Sequence, residues 1–190
     1  MRHIAIVGGI KSGKTSLVDA LLEEDPTIHR ISMANYGVRI PMTLLSGGLP
    51  DLLKLEKSDY IDAILANQNI PLIDLKVTDQ DPNKFRRYVR DLYGPAIMAE
   101  TAIHAMDPKV QNLVDNVASF NDVLFFKFRG FFIAGLYCDF YSKLEGYLGG
   151  DRDMYFETKA LQLADKLYDT TKISEKRSQQ IAKDIFVNAG

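Results

Sequence analysis

The segment Gly8-Gly9-Ile10-Lys11-Ser12-Gly13-Lys14-Thr15 constrains this chain more than any other. It follows a short apolar run, Ile4-Ala5-Ile6-Val7, and precedes a stretch of helical period from Gly13 to Glu24. A strand that turns through G-x-x-x-x-G-K-T into a helix is a phosphate-binding loop, and each position has its own physical reason. Glycines at 8 and 13 are expected to adopt backbone angles that side chains forbid, so that the intervening N–H groups turn inward as an anion nest. The positive end of the following helix points at the same place. Lys14 is expected to reach the β- and γ-phosphates as a point charge, and the Thr15 hydroxyl to be a Mg²⁺ ligand. The nucleotide-contacting set therefore runs Gly8, Gly9, Ile10, Lys11, Ser12, Gly13, Lys14, Thr15 and Ser16, with ATP and Mg²⁺ as the implied cofactors.

Beyond the loop, short continuous apolar runs alternate with longer segments of helical period, the signature of a parallel sheet buried on both faces. The runs are Ile4 to Val7, Ile28 to Met33, Val110 to Val114, Phe131 to Cys138 and Lys166 to Thr170. Helices are expected over Gly13 to Glu24, Pro50 to Ala66, Pro82 to Met106, Ala118 to Phe128, Asp139 to Leu148, Met154 to Ala164 and Ser174 to Val187. Tyr93-Gly94-Pro95 is expected to interrupt or kink the third of these. Ser174 is expected to cap the last. The fold class is thus α/β, a P-loop NTPase three-layer sandwich with a five-stranded parallel sheet and helices on both faces. At 190 residues, 46% hydrophobic and 25% charged, a single domain spanning 1–190 is expected.

Composition narrows the function classes. Cys138 is the one cysteine, which excludes an internal disulfide and a multi-cysteine metal cluster. His3, His29 and His104 have no ligand-like spacing. A net charge of -2 offers no basic field for nucleic acid, and no apolar run reaches the ~20 residues of a membrane span. A cytoplasmic protein is expected. Leu45-Ser46-Gly47-Gly48 reads as a loop, Phe125, Phe126, Phe128, Phe131 and Phe132 read as core, and the absence of an Asn-Lys-x-Asp segment disfavours a GTPase.

An acid at the end of a neighbouring strand is needed beside such a loop to hold the metal shell, and Asp115, closing the run Val110 to Val114, is the candidate. On the helix opened by Pro82, Arg86, Arg87 and Arg90 share an adjoining arc that suits an anionic acceptor, and Arg39 is a further phosphate-binding candidate.

The loop, the segments Ile31-Ser32-Met33-Ala34-Asn35-Tyr36-Gly37-Val38-Arg39 and Arg90-Asp91-Leu92-Tyr93-Gly94, and Ala164-Asp165-Lys166-Leu167-Tyr168-Asp169 followed by a helix resemble the P-loop kinases related to dephospho-CoA kinase, including their archaeal adenylate-kinase-like relatives. The resemblance spans nearly the whole chain. It implies ATP on the loop, an acceptor-binding helical insert at about 36–106, and a short lid at about 142–153. It also implies transfer of the γ-phosphoryl group to a nucleotide or nucleotide-like small molecule. Asn35 stands where relatives commonly carry aspartate, and Arg152, with Lys143 and Lys159, supplies the lid's charge. A nucleotide-binding protein that has lost transfer is the alternative.

Overall fold

The structure is a computed structural model that describes residues 1–9, 11–34, 56–67, 82–117, 119–138 and 159–190, with the side chains of 63, 67, 82–86 and 88 outside that description. These residues divide into two compact units, Met1–Ile31 with Met106–Gly190, and Ser32–Ala105.

A five-stranded sheet, all of it in the first unit but the last residue of β2, consists of β1 (Ile4–Gly8), β2 (His29–Ser32), β3 (Asn112–Val117), β4 (Phe132–Tyr137) and β5 (Lys166–Asp169), in the order β2-β3-β1-β4-β5. The pairs of β1 with β3, β1 with β4 and β4 with β5 are parallel. The loop-bearing strand is therefore central, and every residue of β1 is buried. Side chains alternate across the sheet. Ile4 and Ile6 join Leu113, Phe132, Ala134 and Leu136 in one cluster with α1 (Lys14–Glu24) and the C-terminal helix, whose buried residues Leu17, Val18 and Leu21, and Ile181, Ala182 and Ile185, recur at helical spacing. Ala5 and Val7, one residue out of phase, face the other way. On that side α5 (Phe120–Phe128) buries Val123 and Phe126, with the Phe126 ring 4.9 Å from that of Phe131.

Two helix starts follow the sequence signals. Ser119 accepts from the Asp122 backbone N–H, and Ser174 from that of Arg177 at 3.2 Å, opening α6 (Glu175–Ala189). β3 departs from expectation, beginning at Asn112 and running past Asp115 to Val117. Gln111 and Asn112 interrupt the apolar run Val110 to Val114, and the second of them has a local explanation. Asn112 is fully buried and staples the preceding turn, accepting from the Asp107 N–H and donating to the Asp107 and Val110 carbonyls.

The second unit contains α2 (Lys57–Asn67), α3 (Pro82–Tyr93) and α4 (Ile97–His104). Gly94, at φ 110, separates α3 from α4, so the segment expected as one helix is interrupted where Tyr93-Gly94-Pro95 indicates. Tyr60 stacks on Tyr93 with ring centroids 4.8 Å apart, and Lys57 pairs with Glu100.

His3 links the entrances of β1 and β3, its Nδ1 accepting from the Asn112 backbone N–H at 3.1 Å. Burial pushes its pKa down, and the N-terminal ammonium adds to the effect. Above the ordinary histidine pKa of about 6.5 both folded and unfolded chains hold it neutral. Below that value the unfolded chain takes a proton that the folded one resists, so stability falls as pH drops. Melting temperatures measured from pH 7 to 5 are expected to show this loss in the parent and a smaller one in His3→Gln.

Candidate functional site

Among its described residues, the loop between β1 and α1 has two in the left-handed region, Lys11 at φ 60 and Gly13 at φ 77. Gly13 meets the expectation for a glycine that a side chain could not replace without strain. Gly8 does not, because its φ is not positive. Its requirement is space: a Cβ there would lie 2.5 Å from Ser12 Oγ and 2.8 Å from the Leu136 carbonyl. The loop is thus pressed against β4 at its first residue.

Lys14 begins α1 and folds back over the loop. Its Nζ donates to the Gly8 carbonyl at 2.8 Å and to the Gly9 carbonyl, and stands 3.5 Å from the buried Ser12 hydroxyl. The ammonium is thereby held where the strand ends and the helix starts, with the α1 N-terminus beside it. That combination suits an anion of high charge density. Thr15 and Ser16, in the first turn of α1, are exposed.

Asp115 lies one strand over. Ala5 pairs with Val114 and Val7 with Val117, so β3 carries one residue more than β1 across this interval, a bulge at Asp115 and Asn116. Asn116 absorbs it at φ 56, a left-handed conformation that asparagine tolerates better than most residues. Asp115 is thus set beside Ile6 and Val7, close to the loop, at 1% exposure. Its carboxylate is held by Arg30 of β2, through Nε and Nη2, each 2.7 Å from Oδ2, and by the Asn116 side-chain amide at 3.0 Å from Oδ1.

One exposed hydroxyl, Thr15, and one carboxylate, Asp115, make a donor set that fits Mg²⁺, which takes few protein oxygens. Among the described residues there is no group of three or more His, Cys, Asp and Glu that would cage a cation without phosphates.

Sequence reasoning missed three neighbours of this site. Arg30 interrupts the apolar run Ile28 to Met33, and an arginine in such a run was the available signal. Ile173, after β5, covers Gly13, its Cδ1 2.6 Å from where a Cβ would stand. The Cys138 thiol lies 3.9 Å from the Lys11 carbonyl. Neither of the last two carries a signal readable without the fold.

Of the acceptor candidates, Arg87 is exposed and Arg90 half-buried on α3, whereas the Arg86 side chain, and Ile10, Asn35, Arg39, Lys143 and Arg152 with the expected lid, lie outside the described residues. So does the expected helix Asp139 to Leu148. No described helix is long and apolar enough to cross a membrane.

No protein-family model matches the chain, and no curated protein matches it in sequence. Among solved structures it is similar to shikimate kinase from Aquifex aeolicus vf5, at 15% identity over 98% of each chain, with a TM-score of 0.53. A sugar kinase from Janibacter sp. HTCC2649 aligns at 13% identity over 98% of this chain and 95% of that one, with a TM-score of 0.49. The first likeness, together with the parallel sheet and its central loop-bearing strand, establishes an α/β P-loop fold.

Proposed function

We propose that this protein is an ATP-dependent small-molecule kinase that transfers the γ-phosphoryl group to a nucleotide or nucleotide-like acceptor. The observation that carries the reading is the Lys14 ammonium, gathered with the α1 N-terminus around a loop in which Lys11 and Gly13 are left-handed. Such a cradle binds the phosphate chain of a nucleotide, from Gly8 to Ser16. Mg²⁺, when bound, would supply positive charge that offsets the negative charge of the phosphates. Thr15 and Asp115 are the residues that would hold it, Thr15 as a ligand and Asp115 as the acid of its shell. Lys14 offsets the remaining negative charge. The similarity in fold to shikimate kinase from Aquifex aeolicus supports a small acceptor.

Arg39, Arg86, Arg87 and Arg90 supply the charge that an anionic acceptor requires, since a guanidinium matches two phosphate oxygens at once. Arg152 neutralises the transferred group from the lid.

The test is ADP formation from ATP and Mg²⁺ with a panel of nucleoside monophosphates, dephospho-CoA and shikimate. One acceptor is expected to raise ADP formation well above the rate without acceptor. With that acceptor, Arg90→Ala is expected to raise its KM at least tenfold and leave the KM for ATP nearly unchanged, because a lost charge-assisted phosphate contact costs about 2 kcal/mol. Nucleotide binding without ADP formation from any acceptor favours a binding protein that has lost transfer.

A further inference from the structure

Asp115 is held in an unusual way. Arg30 does not fork across its two oxygens: Nε donates to Oδ2 at 2.7 Å, and Nη2 stands 2.7 Å from the same atom. Oδ1 receives the side-chain amide of Asn116 at 3.0 Å, a neutral donor. An ionised carboxylate offers about two acceptor positions on each oxygen. Oδ2 is therefore filled by the cation, and Oδ1 keeps one position. The amide on Oδ1 is itself placed by the backbone, since Asn116 occupies the bulge at φ 56. Both constraints act on a carboxylate whose side chain is 2% exposed, whereas the Arg30 side chain is 40% exposed on the edge strand. The guanidinium thus reaches inward from solvent to fix one oxygen of a buried acid.

We infer that Arg30 is a positioning residue for the metal shell: it locks Asp115 through Oδ2 and leaves one acceptor position of Oδ1 that would serve the shell of a bound Mg²⁺. The inference rests on the assignment of Asp115 to that shell under the proposed function. Mg²⁺ gives up its waters reluctantly, so a carboxylate that accepts from one water through one oxygen serves it without replacing a ligand. Arginine suits the task and lysine does not. A planar guanidinium with two nitrogens on one oxygen fixes the rotation of the carboxylate, while an ammonium supplies charge from a single point.

The experiment is calorimetric titration of ADP at a series of Mg²⁺ concentrations for the parent, Arg30→Lys and Asp115→Asn, each checked by thermal melting. Arg30→Ala removes the counter-ion of a buried acid and endangers the fold, whereas Arg30→Lys keeps a cation opposite Asp115. Metal-free ADP affinity is expected to stay within twofold of the parent in both variants. The Mg²⁺ concentration giving half of the metal-dependent gain in affinity is expected to rise at least fivefold in Arg30→Lys and at least tenfold in Asp115→Asn. A purely structural ion pair would move the melting temperature and leave the Mg²⁺ dependence alone. If Arg30→Lys titrates like the parent while Asp115→Asn is impaired, the role of Arg30 is overturned and the metal assignment of Asp115 stands. If both titrate like the parent, the assignment of Asp115 fails and the inference with it.

Discussion

Lys14→Ala is expected to remove nearly all of the stabilisation that ATP or ADP confers on this protein. The Lys14 ammonium donates to the Gly8 and Gly9 carbonyls, so it is already gathered into the cradle that a phosphate chain would enter. Its charge-assisted contacts with phosphate oxygens are worth about 3 kcal/mol together, or roughly a hundredfold in Kd. At ligand a hundred times above the parent's Kd, a site bound only in the folded state stabilises by about 2.7 kcal/mol, and a hundredfold weaker Kd leaves about 0.4. For a chain of this size that is a rise in Tm of roughly 5–11 °C in the parent and 1–2 °C in the variant. Without nucleotide the two should melt close together. Lys14 opens α1 without side-chain capping, and a cation there opposes the helix dipole, so alanine offsets the loop contacts it loses. Equal nucleotide shifts in parent and variant, read by thermal melting, would remove Lys14 from the site.

How the loop could be read from sequence, and its surroundings only in part, follows from which forces are local. The turn from β1 into α1 is set by glycine conformation and a capping geometry inside one short segment, so the pattern from Gly8 to Thr15 identifies it. The central place of β1 follows from Ile4 to Val7, buried on both faces. Asp115 could be picked out because an acid after Leu113 and Val114 ends an apolar run, but the strand continues to Val117. What carries it onward is a bulge, and a bulge is a matter of register between strands more than a hundred residues apart in sequence. The partner of Asp115 left only an ambiguous signal for the same reason: Arg30 reads as a flaw in an apolar run until β2 lies beside β3. Asn112 shows the converse, a polar residue that weakens a strand pattern because it is engaged in holding the turn before it.

Gly8 illustrates the same division, and its substitution gives the sharpest separation of space from backbone strain. Sequence reasoning assigns it conformational freedom, yet only Gly13, Gly94 and Gly130 among the described glycines have positive φ. Gly8→Ala would place a methyl group 2.5 Å from Ser12 Oγ and 2.8 Å from the Leu136 carbonyl. Neither neighbour yields easily, because Ser12 is wholly buried and Leu136 pairs with Gly8 in the sheet. Overpacking of this kind costs about 1–3 kcal/mol, a fall in Tm of roughly 2–12 °C. The methyl group also has to push Ser12, which lies 3.5 Å from the Lys14 ammonium, so the loop itself is displaced. ADP affinity is therefore expected to fall at least tenfold. Gly130→Ala is the control: at φ 79 it is strained, but its Cβ meets nothing within 4 Å, and it sits before β4 away from the loop. It should lose about 1–2 kcal/mol of stability through strain alone and bind ADP as the parent does. Calorimetry on both variants decides the matter, since a Gly8→Ala protein that binds ADP normally would show that the loop does not depend on its close approach to β4.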